Sequence, residues 1–179
     1  LKNELPDSFD LIEKGCWMLY KSEKTGEHEK HLAEQAHTFG LKTILCTPQQ
    51  VQEYETAVEV NVAGGILYLD DCQLISSKFM QSLFNFLQKN KVKFWLHTEV
   101  TGFEKSNGKI TAVITDKGII SCDELVIANG SWLGTISKLL GINMLMQPGK
   151  GYSVVYNGLE KNLQFPSILV DDRTATTPI

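Results

Sequence analysis

The sequence predicts a mixed α/β fold, of the α+β type, and three observations support that class. Its 179 residues are enough for one good-sized domain or two small ones. Hydrophobic residues make up 42% and charged residues 21%, close to the average for globular proteins, so we expect the chain to fold. Helix-type and strand-type patterns alternate along the chain, and a run of short strands joined by tight turns interrupts that alternation.

A buried strand and a helix open the predicted fold. Residues 16–21 are rich in strand formers. Thr25-Gly26 precedes a helix that is expected to run to Phe39, with Gly40 at the position just after its end. At helical spacing, the core-facing residues of this helix are predicted to be Leu32, Ala36 and Phe39.

A second helix and strand follow. Thr47-Pro48 predicts a helix start, because a capping hydroxyl precedes a proline at the first helical position. This short helix carries Val51 and Tyr54 on one side, and residues 64–69 are predicted to turn into a strand.

The strongest helix pattern covers residues 76–90, where Ser76 or Ser77 is expected to act as the cap. Its apolar stripe consists of Ile75, Phe79, Leu83, Phe86 and Leu87, widened by Met80 and Phe84. The apolar run at residues 92–96 is typical of a buried strand in a parallel sheet.

A three-stranded meander is predicted next. Its strands are residues 98–104, 110–115 and 119–122. Asn107-Gly108 is the residue pair favoured in a type I′ hairpin turn, and residues 116–118 form the second turn.

After the meander, residues 124–128 read as a central parallel strand beside residues 92–96, with Val126 and Ile127 buried. It ends at a strand-to-helix corner, where Ser131 can cap a helix that Gly141 terminates. Exposed N–H groups at such a corner allow a ligand to approach the backbone closely. Two further strands are predicted at residues 151–156 and 168–171.

Several functional classes are disfavoured by composition. The net charge is −4 and no basic run occurs, which argues against nucleic acid as a partner. No apolar stretch reaches the roughly 20 residues that span a bilayer. The four cysteines show no metal-binding spacing and are interpreted as buried structural residues in a reducing compartment: Cys16, Cys46, Cys72 and Cys122.

The only histidine cluster lies on the first helix. His28 and His31, with Glu27 and Glu34, have helical spacing that could hold a metal. Their Glu-rich and Lys-rich surroundings are typical of a solvated face, so no metal site is predicted.

Several stretches, taken together and in order, carry a family resemblance. They are residues 64–68, the helix after Asp70-Asp71, residues 98–103, the meander, residues 125–132 and residues 148–152. On these motifs the chain resembles the FAD-dependent D-amino-acid oxidase/dehydrogenase and glycine oxidase superfamily. The resemblance implies part of a Rossmann-like FAD-binding domain with the meander inserted, at residues 70–144. It also implies part of a substrate-domain mixed sheet, at residues 1–69 and 145–179.

The resemblance also implies site residues. The backbone of Val100 is expected to meet the adenine end of FAD, while Ala128, Asn129 and Gly130 lie along the cofactor. Asn129 stands where the family more often has a small residue or Thr. Trp132 matches an aromatic position, although ordinary packing at a helix start is an equal interpretation. Lys150 matches a basic substrate-side position, with a solvated lysine as the alternative.

The implied activity is hydride transfer from the C–N bond of D-amino acids or glycine-like amines to flavin. Two alternatives stay open: a 2-hydroxy-acid oxidase of the same superfamily, and a non-catalytic binding module. The family's Gly-x-Gly-x-x-Gly loop is not found in the sequence, and the chain opens on Leu1 rather than Met.

The chain is therefore interpreted as an internal piece of a longer enzyme of amino-acid catabolism. We expect it to be inactive by itself and not to retain FAD, with the catalytic residues lying elsewhere. For the parent protein we predict a cytoplasmic location. The alternative is a peripheral association with the inner face of the membrane.

Overall fold

The computed structural model describes residues 4–5 and 9–179 and divides the chain into two compact units. The first contains the described residues up to Val92 together with Tyr156–Ile179, and the second is Lys93–Val155. These boundaries differ from the predicted ones at 69/70 and 144/145. Within the predicted segment 1–69, residues 1–3 and 6–8 lie outside the described residues. The assignment of segments to a cofactor domain and a substrate domain stays a prediction.

The predicted mixed α/β class is confirmed, with helices and two sheets in the described chain. The strands are β1 (Cys16–Tyr20), β2 (Thr43–Cys46), β3 (Gly64–Tyr68), β4 (Val100–Ser106), β5 (Lys109–Thr115), β6 (Gly118–Ser121), β7 (Ser167–Leu169) and β8 (Thr174–Thr176). The helices are α1 (Glu23–Thr38), α2 (Pro48–Tyr54), α3 (Ser76–Lys89) and α4 (Leu133–Leu139), with a 3₁₀ turn at Gly130–Trp132 before α4. None of the described helices is long and apolar enough to cross a membrane.

The first unit is built on a mixed five-stranded sheet in the order β2-β3-β1-β7-β8. The central strand β1 runs antiparallel to β3 and parallel to β7. Side chains alternate across a strand, so Trp17 and Leu19 face one side and Tyr20 the other. Trp17 and Leu19 pack with Val51 of α2, whereas Tyr20 packs with Ala33 of α1. The two helices therefore cover opposite faces of the sheet.

Helix α1 differs from its predicted form at both its start and its buried face. It begins at Glu23, with Ser22 as the N-cap, so Thr25 and Gly26 lie inside it. It buries Gly26, Glu29 and Ala33. The predicted core residues Leu32 and Phe39 are exposed, Phe39 by 85%, and Ala36 is only partly buried. The cause is close packing, because a Cβ atom at Gly26 would lie 2.5 Å from Cε2 of Tyr20. The ring of Tyr20 thus fixes the rotation of α1 through its one residue without a side chain.

The start of α2 is confirmed in detail. The Thr47 hydroxyl accepts a hydrogen bond from the Gln50 N–H (3.3 Å), and Gln50 Oε1 accepts one from the Thr47 N–H (2.9 Å). This reciprocal pair is a capping box, and Pro48 occupies the first turn. Val51 is fully buried, whereas Tyr54 remains partly exposed.

Helix α3 has the predicted extent, but its predicted cap is wrong. Ile75 occupies the N-cap position and no side chain caps the helix. Its apolar stripe is half-buried, and Phe79 meets the ring of Phe9 edge-on at 5.3 Å between centroids. Ser82 is the fully buried residue of α3 in the described structure.

The second unit contains the predicted meander, a sheet in the order β4-β5-β6. Asn107 and Gly108 have φ angles of +52° and +77°, as a type I′ turn requires at both central residues. The predicted corner helix forms as the 3₁₀ turn followed by α4, and Gly141 ends it with φ +76°.

Three predicted strands are wrong: residues 92–96, 124–128 and 151–156 form no strand in the described structure. Val126 is 87% exposed and Ile127 partly exposed, so neither is buried in a central strand. A strand is held by hydrogen bonds to neighbouring strands, and neither of the two sheets in the described structure includes these residues. Strand propensity without a partner does not fix an extended conformation.

Two carboxylates fasten the segment that returns to the first unit near residue 165. Glu55 is fully buried at the end of α2 and accepts the backbone N–H groups of Gln164 (2.7 Å) and Phe165 (3.1 Å). Asp171 accepts the N–H of Lys21 (2.7 Å) and the hydroxyl of Thr25 (2.7 Å). Ser22 also donates its hydroxyl to Asp171, so this carboxylate supports the start of α1.

Replacing Glu55 by Ala is expected to lower the free energy of unfolding by about 3 kcal/mol, because each hydrogen bond to a charged group contributes about 1.5–3 kcal/mol. Glu55→Gln keeps one acceptor and should lose less. Urea unfolding measures both variants, with Glu53→Ala on the exposed side of the same helix as the matched control. An Ala variant as stable as the Glu53 control would contradict the assigned role of Glu55.

The stabilisation by Asp171 is expected to depend on pH. The Lys21 N–H and then the Thr25 hydroxyl lower the pKa of Asp171 from 3.8 to about 2. A carboxyl group whose pKa is lower in the folded state stabilises the fold above its unfolded pKa and loses that effect as it protonates. Unfolding of wild type and Asp171→Asn should therefore differ at neutral pH and converge between pH 3.8 and about pH 2.

The neighbouring Asp172→Asn is the control for this measurement. The carboxylate of Asp172 pairs with the exposed ammonium of Lys21 (2.6 Å), and such surface pairs contribute little to stability. A difference between wild type and Asp171→Asn that stays constant through the acid range would show that the carboxylate charge is not what stabilises the start of α1.

Candidate functional site

A cavity of about 700 Å³ lies within the second unit. Its walls come from the start of β4, from β5, from the segment 125–129 and from one face of α4. The wall is mostly apolar and includes Phe103, Val113, Leu125, Ile127, Ile136 and Leu139. Its polar members are Glu99, Thr101, Asn129 and Thr135. None of the lining residues is Lys or Arg, so the cavity suits an uncharged group better than a phosphate.

Four of the sequence-predicted site residues meet in this wall: Val100, Ala128, Asn129 and Trp132. Gly130 adjoins them without lining the cavity; it has φ +52°, and no atom lies within 4 Å of the position that a Cβ would take. Lys150 lies apart from the cavity, and its Nζ is 5.3 Å from the centre of the Tyr152 ring. Their roles toward a cofactor stay predictions.

The strand that carries Val100 is fixed at its start by Asp116, in the turn after β5. Asp116 Oδ1 accepts the Glu99 N–H (3.0 Å), and the Asp116 N–H donates to the Glu99 carbonyl oxygen (3.0 Å). Because β4 is an edge strand, its outer side presents backbone groups that do not pair within the sheet.

The side chain of Asn129 has an unusual environment. Its Oδ1 is closed to solvent and accepts no hydrogen bond from any of the described residues. Leaving a buried acceptor without a donor costs about 1–3 kcal/mol.

Several residues of the cavity wall were not predicted as site residues from the sequence. Trp132, Thr135, Ile136 and Leu139 follow the spacing i, i+3, i+4 and i+7, which places them on one face of α4. That periodicity was a usable signal, although only Trp132 was predicted as a site residue. Glu99, Thr101 and Leu125 gave no comparable signal, because only the tertiary fold places them on the cavity wall.

The cysteines provide no nucleophile to the site. All four are free thiols; Cys46 is buried, Cys16 and Cys122 are partly buried, and Cys72 is exposed, contrary to its predicted burial. Burial, aided by the negative charge of Asp71, raises the pKa of Cys16 to about 11, so its thiol is protonated at neutral pH. Within residues 4–5 and 9–179, no three His, Cys, Asp or Glu side chains converge as metal ligands.

The cofactor that the resemblance implies fits this cavity in part. The mostly apolar wall suits the uncharged portion of FAD. The wall offers nothing with the positive charge that would favour the pyrophosphate.

The sequence is similar to a family model and to known proteins. A family model described as FAD dependent oxidoreductase matches residues 1–177. The D-amino acid dehydrogenase of Helicobacter pylori is 28% identical over 177 residues, which cover 97% of this chain and 42% of that protein. The glycine oxidase of Pseudomonas putida is 32% identical over 74 residues, 41% of this chain and 20% of that protein. The chain thus spans about two fifths of the length of the dehydrogenase.

Solved structures agree with the fold. The L-proline dehydrogenase from P. horikoshii is similar at a TM-score of 0.71 and 25% identity, covering 79% of this chain and 37% of that one. The L-amino acid deaminase from Proteus myxofaciens gives a TM-score of 0.73 at 18% identity, covering 80% of this chain and 33% of that one. At that identity the second likeness concerns the fold alone. Since the family match extends over nearly every residue, the chain belongs to the FAD dependent oxidoreductase family.

Proposed function

We propose that the protein carrying this chain oxidises the C–N bond of D-amino acids or glycine-like amines with FAD as the electron acceptor. In this proposal the second unit supplies part of the FAD site. The five-stranded sheet of the first unit belongs to the substrate side, and Lys150 is a candidate for contact with the substrate. The names of the two relatives, a D-amino acid dehydrogenase and a glycine oxidase, support an amine substrate over a 2-hydroxy acid.

The observation that carries the proposal is the shared cavity. Val100 belongs to the edge of the meander, whereas Ala128, Asn129 and Trp132 belong to the corner before α4. The family resemblance predicted these four residues as cofactor contacts, although they are separated in the sequence. The fold brings them into one cavity wall. An apolar wall with a few polar groups is the usual composition of a cofactor site.

The chemistry divides between cofactor and protein. FAD, when bound, supplies the acceptor for the hydride that leaves the α-carbon of the amine. The resulting imine is hydrolysed by water to a keto acid and ammonia. The residues of this chain bind and orient: the edge of β4 and the wall around Asn129 hold the cofactor, and the apolar side chains of α4 exclude water from it.

An anaerobic reduction experiment tests this function in the full protein that carries the chain. We expect bleaching of a bound flavin by D-alanine or glycine, with formation of the keto acid and ammonia, and no bleaching by L-alanine. Reduction by 2-hydroxyglutarate alone would replace the proposed activity with the hydroxy-acid alternative. A protein that binds FAD but is reduced by none of these compounds would contradict both.

Gly130 allows a test of where the cofactor lies. Asn tolerates the left-handed conformation that Gly130 adopts, so Gly130→Asn should preserve the helix and sheet signal in circular dichroism. Its side chain would fill the empty space beside Gly130, and we expect at least tenfold weaker FAD binding. Gly130→Val should also disturb the turn, because a β-branched residue is strained at positive φ.

Gly108→Asn is the matched control, since Gly108 also has a positive φ and open space around it but lies in the hairpin turn away from the cavity. In the full protein that carries the chain, FAD titrations followed by flavin fluorescence compare the two Asn variants with wild type. If Gly130→Asn binds FAD as tightly as Gly108→Asn does, the corner is a plain turn and the cofactor lies elsewhere.

A further inference from the structure

Strand β2 is an edge of the five-stranded sheet and lacks the features that usually protect an edge. Its residues, Thr43–Cys46, include no charged side chain and no proline. Ile44 and Leu45 are 36% and 53% exposed, and Leu41, just before the strand, is exposed as well. An uncharged edge with exposed apolar side chains is a template on which a further strand can pair.

The opposite edge of the same sheet, β8, is protected. Asp172 and Arg173 stand directly before it, and Pro178 follows shortly after it. Its exposed side chains, Thr174 and Ala175, are small. Charges, proline and short length are the means by which proteins keep an edge strand from pairing. Strand β2 is therefore the edge of this sheet that is suited to a partner.

Hydrogen bonds in the sheet show which backbone groups of β2 point outward. The Lys42 carbonyl oxygen accepts the Leu69 N–H (2.9 Å), so Lys42 turns toward β3. Successive residues of an antiparallel strand turn their N–H and C=O groups to opposite sides. Ile44 therefore also turns toward β3, whereas Thr43 and Leu45 present their backbone groups on the free side.

The central strand leads to the same assignment. The Leu19 carbonyl oxygen accepts the Val170 N–H (2.9 Å), so Leu19 turns toward β7 and its neighbour Met18 toward β3. Continuing the alternation across β3 turns Leu67 toward its register partner Ile44 on β2.

The available stretch of the β2 edge is short and has definite ends. Before it, the Leu41 N–H donates to a carbonyl oxygen of α1 (3.1 Å). After it, the Thr47 N–H donates to the capping box of α2 (2.9 Å). An added strand thus finds its free N–H and C=O groups at Thr43 and Leu45.

We propose that β2 pairs antiparallel with β2 of a second copy of this protein, about a two-fold axis at Ile44. Thr43 of one copy then exchanges both backbone hydrogen bonds with Leu45 of the other, and the two Ile44 residues lie opposite each other. Moving the axis to Thr43 or to Leu45 would require the N–H of Leu41 or of Thr47, which is already bonded. The axis at Ile44 uses the free groups alone.

The side chains that this register brings together suit an identical partner. Ile44 faces Ile44, and Lys42, the charged residue in the stretch 41–47, lies opposite Cys46 rather than opposite its own equivalent. Like charges directly opposite would destabilise the pair, and here they do not meet. Exposed Ile44 and Leu45 are removed from water. The inference concerns the first unit and is independent of the cofactor.

A disulfide experiment in the full protein that carries the chain tests the register. The Cα atoms of a non-hydrogen-bonded antiparallel pair are about 4.5 Å apart, a distance that a disulfide spans. We expect Ile44→Cys to form a covalent dimer on mild oxidation, with the link located by mass spectrometry of the joined peptides. Leu41→Cys is the matched control, because about 20 Å separate the two copies of residue 41 in this register. Wild type controls for the four native free cysteines.

Sedimentation equilibrium of the same protein tests the association itself. We expect wild type to be a dimer and Ile44→Lys to dimerise at least about tenfold more weakly, because the two ammonium groups would face each other. Ala175→Lys, exposed on the opposite edge, should dimerise as wild type does. Circular dichroism checks that both variants fold, and if Ile44→Lys does not, the disulfide experiment decides.

Three results would overturn the inference. One is a wild type that stays monomeric as its concentration rises, which would mean that another segment of the same protein covers β2. The second is a dimer that Ile44→Lys, when folded, leaves as tight as Ala175→Lys does. The third is a covalent dimer that forms through Leu41→Cys as readily as through Ile44→Cys.

Discussion

The indole of Trp17 holds together parts of the first unit that are far apart in the sequence. It is fully buried on β1, and the rings of Tyr54 and Phe165 meet it edge-on at 5.5 Å and 6.2 Å between centroids. Such pairs add about 0.5–1.5 kcal/mol beyond the burial of their area. The parallel pairing of β1 with β7 and the position of α2 both depend on this packing. Glu55 then fastens the returning segment by accepting the N–H groups of Gln164 and Phe165, and Asp171 of that segment accepts the N–H of Lys21.

The second unit depends on a different constraint, the pairing of β4 with β5. The turn residue Asp116 closes that pair at the start of β4, and Val100 follows directly. One face of α4 also lines the cavity. The wall is mostly apolar, and none of its lining residues is Lys or Arg. A ligand held there gains free energy from apolar contact and from a few hydrogen bonds rather than from charge. This composition is the reason why we propose the uncharged part of the cofactor, rather than its phosphates, for this cavity.

The features that follow from local interactions were predictable from sequence. The capping box at Thr47, the turn at Asn107-Gly108 and the helix end at Gly141 all involve residues within four positions of one another. Each depends on a side chain or a φ angle that the residue type itself supplies. The order of the meander strands followed for the same reason, because short hairpin turns leave little choice of partner. The family, too, could be inferred from motifs in order along the chain.

Tertiary structure alone decided the rest. The ring of Tyr20 against Gly26 set the buried face of α1, and periodicity had favoured Leu32 instead. Residues 124–128 have the composition of a strand, yet no described segment offers hydrogen bonds to them. The meeting of Val100 and Asn129 in one wall likewise arises from packing between distant segments. Local residue types specify the short-range turns and caps, because the interacting groups are covalently near. The buried faces, the strand pairings and the cavity depend on residues that only the folded chain brings close.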